Sequence, residues 1–169
     1  MASGDLQRIF RALGDAGVRY LVVGGVAVVL HGHPRFTADL DLVVSLQPAN
    51  VLAALRALGA LGYRPRAPVP AEAFADPETR ASWVREKGLT VFSLWSATAP
   101  LTEVDLFVEE PFDFEAVYSR ALRAVVGGTE ISVPGLDDLL SMKRAAGRPK
   151  DLEDVLALEE IRGSRRDDV

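Results

Sequence analysis

Hydrophobic and polar positions along this chain repeat at two periods, and the changes from one to the other mark its elements. Leu6, Ile9, Phe10 and Leu13 recur at helical spacing, which predicts an amphipathic helix over residues 5–16, with Ser3 as its cap and Gly17 as its stop. Residues 19–23, apolar from Tyr20 onward, then read as a first strand, and Gly24-Gly25 opens a short helix. Asp39-Leu40-Asp41-Leu42-Val43-Val44 follows at period two, with Leu40, Leu42 and Val44 on one face and Asp39 and Asp41 on the other. Pro48 begins a helix whose apolar face carries Val51, Leu52, Leu55, Leu58 and Leu61, closing at Gly62.

Residues 64–77 hold Pro65, Pro68, Pro70 and Pro77 and read as a loop with at most a short helical turn. A helix over 78–87 with Trp83 as core anchor precedes strands over 89–95 and 101–108. In the latter, Val104, Leu106 and Val108 take the core face and Glu103, Asp105 and Phe107 the opposite one. A helix over 112–122 and a hairpin turning at Gly127-Gly128 follow. Two helices close the chain, over 136–146 and from Pro149 onward, with a charged, frayed tail over 163–169. This order predicts an α/β (α+β) fold, a small mixed sheet with helices packed on it and a C-terminal helical hairpin. The predicted division is a core over 1–134 and a helical segment over 135–169 packed on it in the same domain.

Composition sets bounds. A chain of 169 residues, 49% apolar and 25% charged, suffices for one domain with a real core. There is no cysteine, which removes disulfides and thiolate metal sites. A net charge of −5 argues against a wholly basic nucleic-acid surface. With no apolar run long enough to span a bilayer and no basic-then-apolar leader pattern at the start, a cytoplasmic protein with no membrane partner is expected.

Asp is disfavoured in strands, so two of them one residue apart in an apolar strand need a reason. Asp39 and Asp41 lie roughly 6.6 Å apart along the strand, close enough to converge on a shared pair of Mg²⁺ ions. Asp105 supplies a third carboxylate, and three carboxylates make a hard, all-oxygen site. The competing reading is a solvated face of an antiparallel sheet. Gly24 and Gly25 stand where a phosphate-cradling turn would, or pack as a tight turn under the sheet. Arg35 can pair with a phosphate or with one of these aspartates, and Thr37 can orient Asp39 or contact a phosphate through its hydroxyl. His31 and His33, the only histidines, read as structural residues ending the short helix, because a zinc site usually needs three protein ligands. Lys143, Arg144, Arg148 and Lys150 concentrate cations in an acidic chain. Lys143 is the candidate phosphate contact and Lys150 and Asp151 are lesser members, although the same charges also complement helix dipoles.

The run Gly24-Gly25, then Arg35-x-Thr37-x-Asp39-x-Asp41, resembles the nucleotidyltransferase superfamily of the DNA polymerase β type. Within it, the basic segment from Lys143 to Asp151 is similar to the small bacterial branch of AbiEii-type toxins and minimal nucleotidyltransferases. The resemblance implies the nucleotidyltransferase fold and transfer of a nucleoside monophosphate from an NTP, ATP foremost, to an acceptor hydroxyl with release of pyrophosphate. It implies Mg²⁺, with Mn²⁺ as a substitute, held by Asp39, Asp41 and Asp105, and nucleotide contacts from Gly24, Gly25, Arg35, Thr37, Lys143, Lys150 and Asp151. The acceptor is left open among a partner protein, a tRNA or other RNA 3′ end, and a small molecule such as an aminoglycoside, and a toxin–antitoxin role is one setting. The rival expectation is a non-enzymatic, antitoxin-like or regulatory protein that keeps the fold and binds nucleotide. A metal-dependent phosphohydrolase, which usually adds histidine ligands, stands third.

Overall fold

The computed structural model describes residues 3–167 and the side chains of 4–164. Its elements run α1 (Ser3–Asp15), β1 (Tyr20–Val22), α2 (Gly24–Leu30), β2 (Asp39–Val44), α3 (Pro48–Ala60), β3 (Arg64–Pro65), a 3₁₀ turn (Ala71–Ala75), α4 (Pro77–Lys87), β4 (Val91–Trp95), β5 (Glu103–Phe107), α5 (Phe114–Ser119), β6 (Leu122–Val126), β7 (Thr129–Val133), α6 (Leu136–Ala146) and α7 (Pro149–Asp167). The expected α/β class stands. Five strands form a mixed sheet in the order β1-β2-β5-β4-β3, in which only β2 and β5 are parallel, and β6 and β7 form a separate hairpin.

The period-two pattern divides the sheet as expected. Leu40, Leu42 and Val44 of β2, Val104 and Leu106 of β5 and Phe92 and Leu94 of β4 are buried together under Ile9, Phe10 and Leu13 of α1 and Val51, Ala54 and Leu58 of α3. Trp83 is the core anchor it was read to be, its ring stacked on Phe92 at 5.3 Å, with Phe74 on Phe92 at 5.1 Å. The opposite face is covered over only part of its length, where Val43, Leu21 and Val23 pack against Phe114 and Val117 of α5. Beyond that cover it lies bare beneath α6 and α7, and the carboxylates lie there.

Several boundaries differ from the sequence reading. The proline-rich stretch is not all loop: Arg64–Pro65 pairs with Trp95 and Leu94 as an edge strand, where a proline lacking its N–H is tolerated. The helix expected over 112–122 is shorter, because the Asp113 side chain caps it at Ala116 N (3.0 Å) and Leu122 is already in β6, opposite Val133. The tail expected to fray is helical as far as Asp167. The expected cap, Ser3, falls outside the described side chains. Among the described residues no helix is long and apolar enough to cross a membrane.

Candidate active site

The parallel pairing of β2 with β5 sets the register of the site. Asp41 stands directly opposite Asp105, and Asp39 opposite Glu103, so four carboxylates share one face of two neighbouring strands. Ser93 on β4 is next in the row, opposite Asp105. Asp105 Oδ1 is buried with no hydrogen-bond partner. Burial raises the Asp105 carboxyl above its usual range; the Ser93 hydroxyl opposes the shift, and Glu103 and Asp39 add to it. Asp41 is pushed up to about 6, by burial first, then by Asp105 and Asp39, with Lys143 and Arg148 pulling the other way. Glu103 is tied to Arg66, whose Nη2 donates to Oε2 at 2.8 Å.

The glycine pair sits against these groups. Gly24 has φ +62°, and a β-carbon there would lie 1.9 Å from Asp41 Oδ2. One on Gly25 would lie 2.6 Å from Thr37 Oγ1. Val23 N also donates to the Asp41 carbonyl (3.0 Å), so strand, turn and carboxylate form one unit. Both missing β-carbons admit side chains of the site, a use the sequence reading did not foresee. Thr37 reaches β2 through the strand's backbone, its hydroxyl donating to the Asp39 carbonyl at 3.2 Å.

The basic segment closes the cleft from above. Lys143 is only 6% exposed and its Nζ donates to Asp154 Oδ2 (2.7 Å) and Asp151 Oδ1 (3.1 Å). Arg148 Nε donates to Asp151 Oδ2 at 2.6 Å. Arg35 pairs with neither Asp39 nor Asp41, the aspartates offered for it; its partner is Asp154, 119 positions along the chain. Burial pushes Asp151 up, but the hydrogen bonds from Arg148 and Lys143 outweigh it and hold the carboxyl below its usual value. Three cations thus meet two carboxylates, a surplus of one positive charge facing Asp41 and Asp105.

The space between is a cleft with two adjoining parts, of about 370 and 210 Å³. Gly24, Asp41, Asp105, Lys143, Arg148 and Asp151 line both. Gly25, Arg35, Thr37, Asp39 and Lys150 line the smaller part alone. Every residue singled out as a metal or nucleotide contact therefore borders one cleft. Neither histidine does; His31, buried, donates from Nε2 to the Pro134 carbonyl at 2.8 Å, a structural role. Asp154, Arg148 and Ser93 were given no role at the site by sequence reasoning. A signal for Asp154 existed: Asp151, Asp154 and Leu158 recur at i, i+3 and i+7, so two acids share the buried face of α7.

The donor set is all oxygen, which suits a hard cation such as Mg²⁺. Among the described residues, however, no group of three or more His, Cys, Asp or Glu side chains is gathered closely enough to hold a metal. A hard cation can be held by one or two carboxylates, its shell completed by substrate phosphates and water. The unpartnered Asp105 oxygen beside Asp41, held in a pair that resists ionisation, is where such an ion fits.

Solved structures share this architecture. The crystal structure of ANT(2")-Ia in complex with adenylyl-2"-tobramycin superimposes with a TM-score of 0.56 over 98% of this chain and 97% of that one, at 14% identity. The solution structure of the antibiotic-resistance factor ANT(2'')-Ia gives 0.53 over 98% and 91%, also at 14% identity. An antigenic nucleotidyltransferase-like protein from Paracoccidioides brasiliensis gives 0.51 over 92% and 74%, at 17% identity. Identities this low establish the fold alone. The chain itself belongs to the family described as "Nucleotidyltransferase of unknown function (DUF6036)", whose model matches residues 6–162. No curated protein matches it.

Proposed function

We propose that the protein transfers a nucleoside monophosphate from an NTP to an acceptor hydroxyl, using a divalent cation at Asp41 and Asp105 with Asp39 beside them. The observation that carries this reading is the in-register pair Asp41 and Asp105 beneath Gly24, facing Lys143 across one cleft. When bound, Mg²⁺ or Mn²⁺ offsets charge on the triphosphate. The chain's own residues do the rest. Lys143, Arg35, Arg148 and Lys150 border the smaller, polar part of the cleft and receive the β- and γ-phosphates. The acceptor oxygen bonds to the α-phosphorus, the bond from that phosphorus to the αβ-bridging oxygen breaks, and its electron pair leaves on pyrophosphate. The hydroxyl proton passes to Asp105, which borders the cleft in register with Asp41.

Asp39, exposed and bordering the cleft, adds unpaired negative charge there, which disfavours a polyanionic acceptor relative to a neutral or cationic one. A small polyhydroxy amine such as tobramycin, whose adenylyl-2" derivative is bound in the ANT(2")-Ia crystal structure, therefore heads the panel as an aminoglycoside, ahead of tRNA and of a toxin–antitoxin protein target. The test is incubation with α-labelled NTPs and Mg²⁺ against that panel. Label should move to one acceptor with wild type and not with Asp41→Asn or Asp105→Asn proteins shown by circular dichroism to be folded. Equal labelling by wild type and an Asp39→Ala, Asp41→Ala double variant ends the proposal.

A further inference from the structure

The larger part of the cleft is built unlike the smaller. Val91 of β4 stands directly opposite Phe107 of β5, and together they make an apolar wall two strands wide. Met142, Ala145 and Ala146 of α6, at i, i+3 and i+4, lie on one helix face and make the facing wall. Among the described residues lining this part and not shared with the polar one, Thr90 is the one side chain with a hydrogen-bonding group. The result is a slot with small alanines on one side and a thioether that adapts its shape.

We infer that this slot receives the nucleobase and grips it by its faces, so that the protein takes nucleoside triphosphates as a class and scarcely distinguishes the four bases. The inference rests on the proposed function, in which the polar part of the cleft holds the triphosphate. The two parts meet at Asp41, Asp105 and Lys143, so an α-phosphate placed between the aspartates has its β- and γ-phosphates on one side and its nucleoside on the other. Sharp choice among bases needs donors and acceptors aimed at the base edge. A site so equipped rejects the wrong partner by about 10⁴–10⁵-fold, whereas an apolar pocket that reads size and stacking separates close analogues by only about 10–200-fold. Stacking tolerates every base because each presents a π-face. A purine fills the slot better than a pyrimidine, which sets the direction of the small preference that remains.

Calorimetric titration of the full-length protein with Mg²⁺ and each of ATP, GTP, CTP and UTP tests this, with inorganic tripolyphosphate as a probe lacking the base. The four NTPs should bind within about 200-fold of one another, purines tighter, and all tighter than tripolyphosphate. Ala145→Leu fills the slot from an exposed position and so leaves the fold intact. It should weaken every NTP by about tenfold or more and leave tripolyphosphate within about twofold. One base preferred by more than about 1,000-fold overturns the inference, as does an Ala145→Leu protein that binds NTPs unchanged or loses tripolyphosphate equally. NTPs that bind no tighter than tripolyphosphate keep the triphosphate reading and overturn the base slot, whereas failure of all five ligands removes the proposed function itself.

Discussion

Gly24 is constrained twice, by a left-handed φ of +62° and by Asp41 Oδ2, 1.9 Å from where a β-carbon would sit. Gly88 shares the first constraint, φ +60°, with nothing within 4 Å. Gly88→Ala should therefore cost only the left-handed strain, about 1–2 kcal/mol. Gly24→Ala adds displacement of the Asp41 carboxylate, and a shift of about 1 Å at a reacting group costs about 10²-fold in rate. Calorimetric melting together with transfer assays on both variants separates strain from displacement. The glycine pair was visible in the sequence, but its contact with Asp41 was not, because nothing local announces a side chain arriving from 17 positions away. Asp41 carries a second expectation. Burial, then Asp105 and Asp39, push its carboxyl from 3.8 up to about 6, so the folded state holds this proton more tightly than the unfolded chain. The stability it supplies is full below pH 3.8 and is lost as pH rises through about 6, on the order of 2–3 kcal/mol in all. Asp41→Asn should consequently melt above wild type at pH 7 in a chelator. The gap should close below pH 4, and Mg²⁺ should raise the wild-type melting point more than that of the variant.

At the scale of elements, β2 and β5 were legible because a strand's period of two assigns each residue to a face without knowledge of its neighbours. Their pairing was not, since two strands whose partners lie 64 positions apart carry no local mark of direction or register. That parallel register is what sets Asp41 beside Asp105 and Asp39 beside Glu103. The same limit applied to the cations. A basic run near residue 143 was plain and Asp151 was placed with it, but the pairing of Lys143 with Asp151 and Asp154 was not visible until α6 and α7 were seen folded against each other. Asp154 now joins three elements, taking Arg35 from the loop before β2 and Lys143 from α6 onto α7. Asp154→Ala leaves two nearly buried cations short of a partner and should cost about 3–5 kcal/mol. Arg144→Ala breaks the exposed pair with Glu159 and should cost less than about 1 kcal/mol. Urea denaturation of the two proteins gives the comparison directly.

Across the whole molecule, the alternation of strands and helices gave the fold class, and the carboxylate, glycine and basic motifs proved to border one cleft. What the pattern could not give was the way the sheet divides its two faces, one fully covered and the other covered only as far as α5. The same holds for the apolar slot, whose walls come from three elements, each of which alone looks like core. The ion pair between Arg35 and Asp154 spans most of the chain, and its consequence is temporal. A ribosome that has released the first 140 residues has already made every carboxylate of the sheet and the glycine turn beside them, yet none of the lysine and arginine side chains of α6 and α7 that border the cleft. Competence under the proposed function cannot build up gradually during synthesis; it arrives in one step, when the last two helices dock, so truncated products of interrupted translation are inert.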